Sequence, residues 1–275
     1  MSRKILVLMG IVAMTLTGAQ SAWSQNRAMP GYGTELIPGA KNVGMLLING
    51  LSIGEWSAPY DVWIHVKGNK VNVFTISEDG NPIHTSTGVK LSADYSFANA
   101  PRIDVLVVPS GSGSSNKDLV DTARINFVKE RGKKAEWVTS YCGGAFTLGL
   151  AGFLDGKTAT TYPGYMKQMQ EMFPTTKVDR QARIAVDGNV VTTQGGLAAF
   201  EAALYVVERY FGQETADNIA NTMIYPGSAA DPRNRNLQKG YSSVKQFEIA
   251  VDPVYIGSQT AWDEKRFPEM KKFAK

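Results

Sequence analysis

Cysteine and histidine are almost absent from these 275 residues, which hold one thiol, Cys142, and two imidazoles, His65 and His84. A lone cysteine excludes an intramolecular disulfide, so no covalent staple supports the fold. Three such residues scattered along the chain form no convincing ligand set, and neither a metal nor any other cofactor is assigned. An excess of charge of one sign is lacking too. The 29 Lys and Arg against 25 Asp and Glu leave a formal +4, a balance that gives no argument for nucleic acid. Long hydrophobic runs are confined to the amino terminus, where Ile5–Gly18 is 14 residues long. That is short of the roughly 20 residues needed to cross a bilayer. Arg3 and Lys4 precede the run, and Ala22 and Ser24 follow it as the small residues a signal peptidase reads. Residues 1–24 are therefore expected to be a cleaved secretory signal. The mature protein would be periplasmic or secreted and free of the membrane, with two positive charges fewer. Its thiol would meet an oxidising compartment.

What remains has the composition of an ordinary globular protein, with 43% hydrophobic and 20% charged residues. A lead-in over residues 25–41 precedes one α/β domain over 42–224, and a Pro-, Asn- and Arg-rich extension over 225–275 follows. Val43–Ile48, Val71–Ile76, Val105–Pro109 and Trp137–Tyr141 read as strands. The first and third are near-continuous apolar runs, as expected of a sheet covered on both faces. Helices are predicted over Ala58–Lys67, Lys117–Arg131, Gly144–Phe153, Gly164–Phe173 and Leu197–Phe211. The alternation implies a mostly parallel central sheet between helical layers. Ile83–Phe97, with Thr87-Gly88, and Ala182–Thr193, with Asp187-Gly188, read as β-hairpins interrupting it.

The cysteine stands at one junction of that pattern, between the strand ending at Tyr141 and a helix opening with Gly143 and Gly144. A sharp strand-to-helix turn lifts its central side chain above the sheet, which is the geometry of a nucleophile elbow. Helix and backbone N–H groups there are expected to lower the thiol pKa. The plainer reading is a buried cysteine used as a small hydrophobe. A second strand runs into Ser110-Gly-Ser-Gly113, which is either an ordinary turn or a loop aiming the Gly111 N–H, with that of Gly143, at an oxyanion. Trp56 and Tyr141 are expected to flank the mouth of a small pocket, with Phe146 and Leu150 in the core.

These pieces resemble the PfpI and isonitrile-hydratase branch of the class I glutamine-amidotransferase-like superfamily over about Asn42 to Gly212. The similarity rests on Leu46-Leu-Ile-Asn-Gly50, Glu55-Trp-Ser-Ala-Pro59, Asp104-Val-Leu-Val-Val-Pro-Ser-Gly111, Ser140-Tyr-Cys-Gly-Gly-Ala145, Gly152-Phe-Leu-Asp-Gly-Lys-Thr-Ala-Thr-Thr161, Asp187-Gly-Asn-Val-Val-Thr-Thr193 and Phe200-Glu-Ala-Ala-Leu204. The resemblance implies a flavodoxin-like three-layer sandwich, usually dimeric. It makes Cys142 the nucleophile or oxidation-sensitive group. Glu55, four residues before Pro59, matches the acidic residue that reaches the sulfur in that family. The alternative for Glu55 is a solvated loop carboxylate.

Two positions depart from the pattern. Tyr162 stands where many members carry histidine, and the residue after the cysteine is Gly143 where the isonitrile-hydratase type has threonine. A phenol with an unperturbed pKa near 10 is a poor base at neutral pH, so peptidase or glyoxalase chemistry is not expected. His65 and His84 are read as structural or exposed. Three functions compete: hydration or related chemistry on a small electrophilic substrate, a cysteine-oxidation or ligand sensor, and a scaffold whose pocket has decayed.

Overall fold

The computed structural model describes residues 31–111 and 121–225. The expected signal, Ser112 and Gly113 of the glycine loop, and the extension beyond Tyr225 lie outside the described residues. Eleven strands are present among those described. They are β1 (Lys41–Leu46), β2 (Val71–Ser77), β3 (Ile83–His84), β4 (Lys90–Leu91), β5 (Tyr95–Ser96) and β6 (Val105–Val108), then β7 (Trp137–Tyr141), β8 (Thr158–Ala159), β9 (Lys177–Val178), β10 (Ile184–Asp187) and β11 (Val190–Thr193). The helices are α1 (Ile53–Ile64), α2 (Thr122–Gly132), α3 (Gly144–Leu150), α4 (Met166–Met172), α5 (Ala198–Phe211) and α6 (Gln213–Thr222). A 3-10 turn, Pro163–Tyr165, leads into α4.

Seven strands make one sheet in the order β10-β11-β7-β6-β1-β2-β5. Every neighbouring pair is parallel except β10 with β11. Residues alternate between the two faces, and both faces are covered. Val43, Met45, Val105, Val107, Tyr141 and Val191 join a core with Ala58, Val62 and Trp63 of α1 and with the alanine-rich stripe of α5. Leu46, Leu106, Val108, Val138 and Val190 join the opposite core with Phe127 and Val128 of α2, Phe146 and Leu148 of α3, and Met169 and Met172 of α4. Because β1 and β6 in the middle of the sheet are covered on both sides, their sequences are apolar runs and not alternations. This is the flavodoxin-like three-layer arrangement.

Several boundaries differ from the expectation, each for a physical reason. α1 begins five residues earlier than predicted and carries Pro59 inside it. Proline costs the helix one N–H donor, yet the buried face, Glu55, Ala58, Pro59, Val62 and Trp63, keeps the i, i+3, i+4, i+7, i+8 spacing that holds the helix on the sheet. α3 is seven residues long and stops at Leu150, well before Phe153. α6 went unpredicted. β3 and β4 form the first expected hairpin, with Ile83 opposite Leu91. The second, β10 with β11, is no interruption, because β11 is a full member of the sheet beside β7. Its two-residue loop puts Gly188 at φ 64, a conformation that glycine adopts freely. The lead-in is also tied down: Tyr32 bridges to Val73, and its hydroxyl donates to the Ile64 carbonyl at 3.0 Å.

Candidate functional site

The carboxyl ends of β1, β6, β7 and β11 converge, and four connections leave from there. The chain goes from β1 towards β2 on one side, then returns to β6 on the other. A crevice at such a reversal is where open α/β sheets place their ligands.

From β7 the chain passes into Cys142 at φ 53, one of three non-glycine residues with positive φ among those described. The left-handed conformation costs an L-residue about 1–2 kcal/mol. It is held by bonds on both sides of the residue. The Cys142 N–H donates to the Thr193 carbonyl at 3.1 Å, and its own carbonyl accepts from the Thr161 hydroxyl at 2.8 Å. The next turn is packed equally closely. A Cβ on Gly144 would stand 2.2 Å from the Val108 carbonyl oxygen, so only glycine lets α3 start against the end of β6.

Glu55 reaches the same place from the first turn of α1. Its residue is 6% exposed, and one carboxyl oxygen, Oε1, accepts from the Gly196 N–H at 3.2 Å. The other, Oε2, is buried without a hydrogen-bond partner. Between Glu55 and Cys142 lies Gly195. A Cβ built on it would be 2.6 and 2.7 Å from the two Glu55 oxygens and 2.8 Å from the Cys142 Cβ. Carboxyl and cysteine thus meet across a residue that has no side chain. Thr193 sets up that turn, since its hydroxyl accepts from the Gly195 N–H at 2.8 Å.

The electrostatics correct one expectation. Burial raises the Glu55 carboxyl from its ordinary 4.5 to about 7, against the lowering effect of the Gly196 N–H. The Cys142 thiol is not lowered. Burial, and then the charge on Glu55, push it up to about 12, opposed by the Gly143 N–H and the Ser110 hydroxyl. The N–H at the start of the helix does lower it, but by less than burial and Glu55 raise it. Desolvation penalises each anion, and the charge on Glu55 penalises the thiolate further, so near neutrality the thiol keeps its proton and Glu55 is the group of the two that titrates.

Tyr141 is a second correction. It is fully buried in the core beneath α1 and α5 and does not flank a mouth. Strand alternation puts it on the face of Trp137, which also packs there. Trp56 is half-buried, packs against both cores, and stacks on Tyr60 at 4.9 Å between ring centroids. Tyr162 caps the 3-10 turn directly after Thr161, with its ring 5.3 Å from that of Tyr165. Gly111 follows Ser110 near the start of the connection after β6, and its carbonyl accepts from the Ser110 hydroxyl at 2.9 Å.

Neither histidine is joined to Cys142 by a hydrogen bond. His65 caps the far end of α1, about 15 Å along the helix from Glu55 at 1.5 Å per residue, and bonds the Asp61 carbonyl. His84 is exposed on β3. Two surface hollows, one lined by Tyr32, Ile64 and Lys67 and the other by Lys41, Asn72 and Arg102, lie towards the amino-terminal ends of the strands, away from the thiol.

A sequence model of the DJ-1/PfpI family matches residues 41–209. This chain belongs to the DJ-1/PfpI family. Isonitrile hydratase of Pseudomonas putida is 31% identical over 187 residues, covering 68% of this chain and 79% of that protein. Among solved structures, a ThiJ/PfpI family protein from Pseudomonas syringae superposes with a TM-score of 0.65 at 21% identity, covering 91% of this chain and 97% of that one. Toxoplasma gondii DJ-1 in an oxidised form gives 0.58 at 25% identity, covering 68% and 99%. The DJ-1/PfpI match begins with β1 and takes in Glu55, Ser110, Cys142, Tyr162 and Gly195. Ser110, Tyr165 and the Gly195-Gly196 pair are the site residues that the sequence did not single out.

Proposed function

We propose that this protein is a cysteine-dependent hydratase of small electrophilic carbon compounds, with isonitriles as the first substrate class to test. The observation that carries the reading is the meeting of the Glu55 carboxyl and Cys142 across Gly195. A carboxyl whose pKa lies at about 7 both takes and gives a proton at neutral pH. Similarity to isonitrile hydratase supports the choice of substrate.

In the proposed cycle Glu55 accepts the thiol proton and passes it to the terminal isonitrile carbon as the sulfur bonds to that carbon, giving a thioimidate. Water then adds across its carbon–nitrogen double bond, its hydroxyl to carbon and its proton to nitrogen. The Gly111 and Gly143 N–H groups are assigned to the negative charge that develops on oxygen. Collapse breaks the carbon–sulfur bond, returns the hydroxyl proton to sulfur, and releases an N-substituted formamide. Isonitrile plus water balances that product. Tyr162 would donate a hydrogen bond to a polar substrate group, and Trp56 would bound the pocket.

The test follows formamide production from an aryl isonitrile, with methylglyoxal assayed beside it. The parent is expected to hydrate the isonitrile and leave methylglyoxal unchanged. Cys142→Ala and Glu55→Gln are each expected to lose at least about 100-fold in rate. No formamide from the parent, or undiminished turnover in Cys142→Ala, would sink the reading. A second reading then takes its place, supported by the partnerless Oε2 of Glu55. In it, hydrogen peroxide oxidises the thiol to a sulfenic acid with release of water, and Glu55 bonds the added oxygen. Export and a homodimer belong to both readings. The protein recovered from a periplasmic fraction should have the mass of residues 25–275 and the hydrodynamic size of two copies, and a full-length cytosolic monomer would refute both points.

A further inference from the structure

Ser110 stands at the start of the connection that leaves β6, beside the cysteine turn. It is 6% exposed, and its backbone is fixed by a hydrogen bond from the Ser52 N–H to its carbonyl at 3.3 Å. Its hydroxyl occupies a definite volume. A Cβ on Gly143 would fall 2.7 Å from the Ser110 Oγ, with the Tyr165 ring 3.8 Å away on another side. The residue next to the thiol therefore has to be glycine for the serine hydroxyl to sit where it does. Gly143 and Ser110 share one space, and the hydroxyl fills it.

We infer that Ser110 is a positioning residue for Cys142, its hydroxyl donating to the sulfur as the sulfur acquires negative charge. The inference rests on the reading that Cys142 is the reactive group. It does not depend on which substrate is used. With a neutral thiol the hydroxyl donates to the Gly111 carbonyl at 2.9 Å. The hydroxyl already interacts with the Cys142 side chain, so rotation about its Cβ–Oγ bond turns the same proton to the sulfur without moving the backbone. That hydrogen bond is made to an anion, so it is stronger than the one given up. It also acts in the direction opposite to the burial and the Glu55 charge that oppose thiolate formation.

The experiment measures the rate of Cys142 alkylation by iodoacetamide across pH 6 to 10, with mass spectrometry counting the adduct. It needs no turnover, so a failure of the hydratase assay leaves it intact. Ser110→Ala is expected to lower the rate about threefold to tenfold throughout the range where the thiol is mostly protonated. Ser110→Thr, which keeps the hydroxyl, should stay within twofold of the parent. The double variant Ser110→Gly with Gly143→Ser returns a hydroxyl to the same space from the other side and should recover most of the loss seen in Ser110→Gly alone. A Ser110→Ala profile that overlays the parent would overturn the inference. So would a Ser110→Thr profile as slow as that of Ser110→Ala, since packing and not the hydroxyl would then be responsible. If the double variant does not fold, as a thermal melt would show, the alanine and threonine pair decides.

Discussion

Gly195→Ala is expected to destabilise the protein by about 3 kcal/mol and to change the reactivity of Cys142, whereas Gly196→Ala beside it costs about 1 kcal/mol. Both glycines have positive φ, 85 and 57, so each alanine meets the left-handed strain. Only Gly195 is also enclosed. Its added Cβ would approach both Glu55 oxygens and the Cys142 Cβ to below 3 Å, while nothing lies within 4 Å of a Cβ on Gly196. Swinging the carboxylate aside would relieve two of the three contacts at the loss of its bond from Gly196. The third cannot be relieved that way, because the Cys142 Cβ is fixed by a backbone bonded on both sides. Urea unfolding of the two variants, with alkylation rates on the folded proteins, checks this. Equal destabilisation of the two would mean that the space between Glu55 and Cys142 is not filled as described.

Much of the scaffold was legible because its physics is local. β1 and β6 must be apolar on both faces, so Val43–Leu46 and Val105–Val108 announce themselves as runs. The start of α1 was not legible for the opposite reason. The predicted helix starts at Ala58 with Pro59 in its first turn, where proline is tolerated, and only the packing of the buried face on the sheet shows that the helix extends upstream to Ile53. That error hid a signal, since once the helix begins at Ile53, Glu55 falls on the apolar stripe, where a carboxylate stands out. Tyr141 was misplaced by adjacency to Cys142. Its spacing of two from Thr139 and four from Trp137 puts it on the face that α1 and α5 cover.

The site itself was half legible. Cys142 and Glu55 are chemical types in unusual settings, and a sequence can flag those. Gly195 and Gly196 are the residues that bring them together, and their role is the absence of a side chain at a tertiary contact between segments about 140 positions apart. No local pattern reports such a contact. Ser110 was passed over for a related reason: its loop was read for backbone N–H groups, while its hydroxyl is what fills the room left by Gly143.

Glu55→Gln is expected to invert the usual expectation that removing a site carboxylate weakens a protein. The folded-state pKa of Glu55 is about 7 against an ordinary 4.5. Between those values the folded chain holds a proton that the unfolded chain has released, so stability is full below the lower value and falls as pH rises towards the upper one. The shift is equivalent to about 3 kcal/mol, present at pH 4 and largely gone by pH 8. The raised Cys142 thiol acts the same way only above its ordinary 9.0, outside this window. The lowered carboxyls of Asp79, Glu136 and Asp187 act only below theirs, on the acid side. Urea denaturation from pH 5 to pH 8 should therefore show the parent losing about 2–3 kcal/mol that Glu55→Gln, neutral throughout, does not lose. The glutamine protein should be the more stable of the two at pH 8. A parent whose stability is flat or rises over that interval would show that Glu55 is ionised like an ordinary carboxylate. It would then be unable to pass a proton in both directions at neutral pH, and the hydratase cycle would lose its proton carrier along with the stability argument.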